Sequence, residues 1–338
     1  MMVLTIGPTH GVGLKSQATC VTDTLTEKGL CARLSPLTGD FRATGGARLL
    51  HAVGLIRPAT RCCALMSALL PVALAGCGGD DPPPALPTTS GQAVAHIHGL
   101  GVDPGDQSLL IATHNGLFRA PDGKPRAQRV GESTQDTMGF TVAGPNRYLG
   151  SGHPGVESDG PSMLGLIESR DGGHAWRPVA LSGQVDFHIL RVAGRRVYGF
   201  DSTSGRLLVS RDRGRSWASG TPPGPLIDLA VDPQDQRHLV ASTDEGLWES
   251  QDGGAEWQQV SETVGLLAYR SSILHVIEAD GRALESDDDG RSLRRTGALG
   301  SRPVALVAAD GRLFAATESS EVKQSQDGGR TWNPRARL

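Results

Sequence analysis

The sequence predicts an all-β fold, a six-bladed β-propeller with four-stranded antiparallel blades. A segment with the pattern S-x-D-x-G-x-x-W first occurs at Ser169 and then recurs after 41, 40, 36 and 39 residues. Turn-forming residues are abundant, with 45 Gly and 21 Pro among 338 residues, while aromatic residues make up only 4%. Repeats of about 40 residues with four short strands are typical of propeller blades, which must stack around an axis to bury both faces.

The recurring segment, called the box below, is predicted to hold the hairpin between the third and fourth strands of a blade. Its Ser and Asp side chains can bond turn backbone, its Gly permits a positive φ, and its Trp buries a large face between sheets. We therefore interpret the box as structural and not catalytic. Leu293 replaces Trp in the fourth copy. The box residues are Ser169, Asp171, Gly173, Trp176, Ser210, Asp212, Gly214, Trp217, Ser250, Asp252, Gly254, Trp257, Ser286, Asp288, Gly290, Ser325, Asp327, Gly329 and Trp332.

A sixth unit precedes the first box. Residues 96–120 parallel residues 225–250 in sequence, but the turn that follows them reads Ala120-Pro121-Asp122-Gly123 and lacks most of the box. Counting this unit gives six blades, so the propeller is predicted to span residues 95–338.

The segment before the propeller has the layout of an export signal. Residues 62–76 form an apolar run behind Arg57 and Arg61, and the run is shorter than the roughly 20 residues that a bilayer span needs. Leu74-Ala75-Gly76-Cys77 resembles a bacterial lipobox, which implies lipidation at Cys77. The alternative is a buried apolar helix that ends in Cys.

The whole front end is therefore predicted as three segments. Residues 50–76 are a lipoprotein signal peptide, and residues 77–94, rich in Pro and Gly, are the lipidated Cys and its tether. Residues 1–49 precede a signal that should begin near the N-terminus, so we interpret them as a non-native extension from a misassigned start codon. The expected product is exported and anchored through lipid to the outer side of the cytoplasmic membrane.

The boxes resemble the Asp-box, or BNR, repeats of sialidase-like propellers, and the resemblance covers roughly residues 95–338. The arrangement of lipobox and repeats looks like bacterial surface lipoproteins labelled glycosyl hydrolase or exo-alpha-sialidase. Relatives of this kind include sialidases, other glycosidases and non-enzymatic binding or assembly proteins. The resemblance implies the propeller and leaves the chemistry open.

Candidate catalytic residues are few. Sialidases use a Tyr nucleophile with a supporting acid, and the candidates here are Tyr269 near an inner strand with Glu157 and Asp159 on a loop. Sialidases also hold the substrate carboxylate with Arg. Phe118-Arg119-Ala120-Pro121 matches the family's F-R-I-P motif by letter, but the repeat alignment puts it on a third strand, away from the axis. No complete catalytic set emerges.

The repeat alignment places several histidines at equivalent positions of neighbouring blades. Alignment superposes His98, Met138 and His188 on three successive inner strands, and it superposes His114 with His153 at the ends of second strands. Inner strands begin and second strands end on one face of a propeller, so these residues and His96 are expected to line a common ligand-binding mouth. Imidazole and thioether groups suit Cu or Zn. The metal ligands expected from this pattern are His98, His114, His153 and His188, with a divalent or copper ion as cofactor. The alternative is that each His is a hydrogen-bonded core residue.

Three functions remain open from the sequence. The first is a glycosidase acting on surface glycans at the axial mouth, and the second is a non-catalytic propeller that binds a ligand or an envelope protein. The third is a metal-binding protein that uses the histidines. The net charge of −3 argues against a nucleic-acid partner.

Overall fold

The computed structural model describes residues 96–155 and 160–338. These residues form 24 strands in six antiparallel sheets of four strands each. No helix occurs among them, and within the same ranges nothing helical could cross a bilayer. The predicted extension, signal peptide and tether lie outside the described residues, as does Cys77.

Each sheet consists of four consecutive strands, and each is a blade. Blade 1 contains β1 (Ile97–Val102), β2 (Leu109–Thr113), β3 (Gly116–Ala120) and β4 (Gln128–Arg129). Blade 2 contains β5 (Asp136–Gly144), β6 (Arg147–His153), β7 (Leu166–Ser169) and β8 (Arg177–Ala180). Blade 3 contains β9 (Phe187–Ala193), β10 (Arg196–Asp201), β11 (Arg206–Ser210) and β12 (Ala218–Gly220).

The second half of the ring repeats this arrangement. Blade 4 contains β13 (Asp228–Val231), β14 (Leu239–Thr243), β15 (Gly246–Ser250) and β16 (Gln258–Ser261). Blade 5 contains β17 (Leu266–Arg270), β18 (Ile273–Ile277), β19 (Arg282–Ser286) and β20 (Arg294–Ala298). Blade 6 contains β21 (Pro303–Ala309), β22 (Arg312–Thr317), β23 (Glu321–Ser325) and β24 (Asn333–Arg337). The predicted all-β fold of six four-stranded blades is confirmed.

The hydrophobic core lies between neighbouring sheets. Leu110 of blade 1 packs with Phe140 and Tyr148 of blade 2, and Ile111 packs with Phe314 of blade 6. All five side chains are at most 4% exposed. Burying an aliphatic or Phe side chain contributes roughly 1.5–3 kcal/mol, so the contacts between blades stabilise the ring.

The ring closes without a shared strand. The first and last sheets each consist of their own four strands. The C-terminal strand β24 instead contacts the loop before β4: Ala127 N–H donates to Arg337 O at 2.9 Å, and Arg337 N–H donates to Pro125 O at 2.9 Å. The apolar cluster between blades 1 and 6 completes the closure.

All five boxes have the same internal hydrogen bond. The backbone N–H of the box Gly donates to the box Ser Oγ at 2.8 Å in every copy, and the Ser hydroxyl donates to the box Asp. Blade 1 has no such box. There the buried Arg335 of blade 6 donates to the carbonyls of Ala120, Pro121 and Lys124 and so satisfies the turn from the neighbouring blade.

Candidate metal centre

The two ends of the axis differ in chemistry. Inner strands begin and second strands end at one end, called the mouth, while the boxes lie at the other end, called the box face. A cavity of about 230 Å³ follows the axis and is lined by residues of all six inner strands. His98 and His188 are among the lining residues, so they face the same cavity.

The inner strands of blades 1, 2, 3 and 6 are irregular at one shared position near the mouth, and in blade 6 the extra residue is Val304. The register shifts between Ile97 and Gly99 in β1, between Thr137 and Gly139 in β5, and opposite the Phe200–Asp201 step in β9. The extra residue at each shift is His98, Met138 or His188. A β-bulge redirects one side chain, so local backbone geometry and repeat register together put these three residues in equivalent places.

His98, His114 and Asp136 meet at the mouth between blades 1 and 2 and are called the first site. His98 Nε2 lies 3.0 Å from His114 Nδ1. His114 Nδ1 lies 2.7 Å from Asp136 Oδ2, and His98 Nε2 lies 3.4 Å from Asp136 Oδ1. Each of the three residues therefore directs a ligand atom toward one small volume.

The spacing of the first site matches a coordination shell. Ligand atoms about 2.0 Å from a tetrahedral zinc ion are separated from one another by roughly 3.3 Å. The separations here are 2.7–3.4 Å, with Asp136 facing His114 through Oδ2 and His98 through Oδ1, and the two shorter ones are also hydrogen-bond distances. In the tautomers that carry the proton on the other ring nitrogen, His98 Nε2 and His114 Nδ1 are acceptors like the carboxylate, and a cation between them would satisfy all three.

The electrostatics of His98 favour its neutral form. Burial lowers the pKa of His98, the charge of His114 lowers it further, and the carboxylate of Asp136 opposes both effects, with a resulting pKa of about 4. A neutral imidazole is the form that ligates metal. His98 therefore needs to release no proton to bind a cation at neutral pH.

His153 and His188 gather around a different carboxylate. His188 Nε2 lies 2.9 Å and His153 Nε2 lies 3.4 Å from Oδ2 of Asp186. These three residues lie between blades 2 and 3 and are called the Asp186 cluster. The structure thus divides the four predicted metal ligands into two pairs, each pair on its own aspartate.

Asp136 and Asp186 were missed by the sequence reasoning, although a signal was present. Each stands two residues before the bulged residue of its inner strand, as His96 stands two residues before His98. The repeat register therefore contained both carboxylates. The positions of His and Met alone do not reveal them.

The remaining predicted mouth residues have looser positions. The His96 ring is exposed, and its centroid lies 5.3 Å from that of His114. Met138 is half-buried at its bulge. Both lie at the mouth beside the first site.

The catalytic candidates do not join the histidines. Tyr269 lies near the end of β17, beside the hairpin on the box face, and its hydroxyl donates to Asp289 at 2.6 Å. Burial raises the pKa of Tyr269, and the hydrogen bond to Asp289 raises it further. Glu157 and Asp159 lie outside the described residues. Arg119 is on the third strand of blade 1, as predicted, and pairs with Asp106 at 2.7 Å.

A second polar group lies on the box face between blades 4 and 5. His238 Nδ1 is 3.2 Å from Asp232, and His238 Nε2 is 3.0 Å from Glu249. Arg291 pairs with the same Glu249. Both imidazole nitrogens thus meet carboxylates and an arginine balances the charge, so this group fits a structural ion network.

Comparisons with known proteins agree with the fold and say little about the site. No protein-family model matches the chain. A xyloglucanase of Hypocrea jecorina (strain QM6a) is 27% identical over 184 residues, which is 49% of this chain and 21% of that protein. The chain therefore spans about a fifth of the length of the curated relative that it matches.

Similar solved structures include a chain of a nidogen/laminin complex, with a TM-score of 0.54 and 12% identity over 68% of this chain and 93% of that one. This likeness shows the fold alone. YCF48 from Cyanidioschyzon merolae has a TM-score of 0.45 and 13% identity, covering 71% of this chain and 84% of that chain. YCF48 bound to D1 peptide has the same TM-score at 17% identity, covering 71% and 82%.

Proposed function

We propose that this protein is a non-catalytic propeller that binds a transition-metal ion at its mouth. The observation that supports it is the convergence of His98 Nε2, His114 Nδ1 and the Asp136 carboxylate at separations of 2.7–3.4 Å. Two imidazoles and one carboxylate are a donor set that suits zinc or copper, and an open position remains for solvent or a ligand.

The mouth position gives this site access to solvent. His114 has a 43% exposed side chain, whereas His98 has only 16%. A cation could enter from the His114 side and be held against the ring by His98. A wholly buried core histidine would offer no such path.

Metal retained by the full chain after dialysis tests the proposal. Wild-type protein loaded with Zn²⁺ or Cu²⁺ should retain metal, and His98→Ala should lose it. Ile227→Ala is the control because Ile227 lies at the place in blade 4 that corresponds to His98 in the repeat and also lines the axial cavity. Equal retention by wild type and His98→Ala would overturn the proposal.

A glycoside hydrolase is the second candidate. The xyloglucanase likeness and the resemblance of the boxes to sialidase-like BNR repeats favour it. Two carboxylates, Asp136 and Asp186, stand at the mouth, but each is bonded to imidazoles. Release of sugar from xyloglucan oligosaccharides or sialosides by the full chain, lost in Asp136→Asn, would favour this candidate over metal binding alone.

We also propose export with a lipid anchor at Cys77, which would make the membrane a partner and would present the mouth to glycans or envelope proteins. The support is the apolar run at residues 62–76 behind two arginines and before a lipobox-like tetrad. Labelling of bacterial cells with a radioactive fatty acid should mark the wild-type chain and leave Cys77→Ser unmarked. Labelling of both would exclude Cys77 as the anchor.

A further inference from the structure

The box face of blade 3 is rich in arginine. The turn that joins β9 to β10, residues 194–196, and the box turn after β11, residues 211–216, together contain five Arg and one Asp. The same two turns of blade 4, residues 232–238 and 251–256, contain one Arg and four acidic residues. Residues 96–338 hold 26 Arg and Lys against 31 Asp and Glu, so blade 3 departs from the acidic balance of the ring. The five residues are called the arginine patch: Arg195, Arg196, Arg211, Arg213 and Arg215.

The two turns of the arginine patch lie side by side. The backbone N–H of Arg213 donates to the carbonyl oxygen of Arg195 at 2.8 Å. Arg196 and Arg211 stand next to the last residue pair between β10 and β11, so they lie opposite each other. Side chains at opposite positions of antiparallel strands are neighbours, with Cβ atoms about 5 Å apart. Arginines that are distant in sequence therefore form one surface.

The charge of the arginine patch is not neutralised within the described residues. Four of its side chains are exposed, and none of the five forms an ion pair with a carboxylate of residues 96–155 or 160–338. Arg215 donates to the carbonyl oxygen of Asp212 at 3.2 Å. The Asp212 carboxylate itself is occupied by the box, since it accepts from the hydroxyls of Ser210 and Ser216 at 2.8 and 2.6 Å. Asp235, on the adjoining turn of blade 4, accepts from a backbone N–H of its own turn at 2.8 Å.

Exposed arginines on neighbouring turns suit a broad anionic surface. A site for one small anion gathers its donors in a concave pocket, whereas these side chains stand on exposed turns at the end of a blade. Each basic residue near an anionic bilayer strengthens binding about fivefold, and these contributions need no fixed geometry. Anionic phospholipid headgroups form such a surface.

The chain in front of the propeller is long enough for this contact. Residues 77–94 number 18, and 18 residues span at most about 60 Å. Strand β9 runs from the mouth to the box face and has seven residues, a length of roughly 23 Å. A tether that joins the propeller at the mouth can therefore reach a membrane that lies against the box face.

We propose that the arginine patch binds the anionic headgroups of the membrane to which the chain is tethered. The inference takes this membrane from the export proposed above and does not depend on the metal site. Because the mouth and the box face are opposite ends of one axis, a membrane at the arginine patch leaves the first site facing away from the membrane, open to solvent and to partners.

Binding of the full chain to lipid vesicles tests this proposal. Cys77→Ser is the parent for every variant, so that no acyl chain contributes. The parent should bind vesicles of equal parts phosphatidylglycerol and phosphatidylcholine more tightly than vesicles of phosphatidylcholine alone. Arg195→Gln/Arg213→Gln should weaken binding to the anionic vesicles about 25-fold, because two fivefold contributions are lost. Arg177→Gln/Arg295→Gln removes the same charge from exposed positions of β8 and β20 and should bind like the parent.

Co-sedimentation with the vesicles measures these affinities and gives three ways to overturn the proposal. Equal binding of the parent to both kinds of vesicle would do so, and so would equal losses in the two double variants. A preference for anionic vesicles that persists at about 1 M salt would also contradict it, because salt screens surface charge. Binding to soluble dextran sulfate without binding to vesicles would assign the patch to an acidic polymer and not to a membrane. Metal retention should be the same in all these variants, so a failure of the patch is distinct from a failure of the metal site.

Discussion

The two halves of the mouth share a backbone and differ in chemistry. Blades 1–3 place His98, Met138 and His188 at the bulged position of their inner strands, whereas blade 6 places Val304 at its bulge and blade 4 places Ile227 before its inner strand. All six blades contain the same four strands, so the fold does not require imidazoles at the mouth. The propeller fold therefore does not by itself explain the polar side chains that blades 1–3 place at the mouth.

Two carboxylates show the same contrast in detail. Asp228 of blade 4 is buried and accepts from Leu229 N–H at 2.7 Å, from Leu267 N–H at 2.8 Å and from Arg191. It joins blades 3, 4 and 5. The Asp136 side chain is hydrogen-bonded to His114 through Oδ2, while its Oδ1, 3.4 Å from His98 Nε2, is buried without a hydrogen bond among the described residues. One carboxylate is hydrogen-bonded across three blades of the ring, and the other belongs to the proposed metal site.

The largest expected effect is on the free energy of unfolding, and it separates Asp228 from Asp136. Asp228→Asn should lower the free energy of unfolding by about 3 kcal/mol, because the neutral amide removes the charge that pairs with Arg191 and turns an NH₂ group toward donors that the buried carboxylate accepts. Asp136→Asn should leave the stability of the metal-free protein close to that of wild type and should lose the metal. Denaturant unfolding of both variants measures the difference, and equal losses of stability would show that Asp136 is also structural.

A somewhat smaller effect is expected for a ligand in the first site. His114→Ala should weaken binding of Zn²⁺ about 100-fold, which corresponds to about 2.7 kcal/mol, since one of three ligand atoms is removed. Asp244→Ala, at the corresponding place in blade 4, should bind like wild type. Competition with a chelator of known affinity measures both, and a comparable loss in the two variants would point to a general effect of the mouth charge.

The smallest expected effect is on the pH dependence of stability, and it concerns His275, a buried histidine of blade 5 that lies outside the proposed metal site. Burial lowers the pKa of His275, the charges of Arg270 and Arg330 lower it further, and the resulting pKa is about 4. The unfolded chain takes up this proton near pH 6.5 and the folded chain near pH 4, so stability should fall as the pH drops between these values. His275→Gln should flatten this fall at any metal concentration, whereas the exposed His174→Gln should not. An unchanged slope in His275→Gln would contradict the assignment.

Much of this architecture could be predicted from the sequence, because the repeat carries its own register. The spacing of the boxes from Ser169 to Trp332 predicts the number of blades, and alignment of HGLGV with HILRV predicts that His98 and His188 share a face. Both residues do line the axial cavity. The same register also contains the carboxylates, since Asp136 and Asp186 stand two residues before the bulged residues Met138 and His188.

The rest depends on contacts that the repeat does not encode. The division of the histidines between Asp136 and Asp186 follows from contacts across blade boundaries, which a one-dimensional alignment does not order. The box-face network joins His238 of one blade to Asp289 of the next, where other boxes carry Gly or Arg. Arg335 replaces a missing box from the far end of the chain, about 215 residues away in sequence. Such pairings become visible only in three dimensions.

A crystal of the full chain soaked in a zinc salt would test the first site most directly. The anomalous difference map at the zinc absorption edge should show a peak about 2.0 Å from His98 Nε2, His114 Nδ1 and an Asp136 oxygen. A map with no peak at the mouth, or with a peak only at the carboxylates of the box face, would contradict the account.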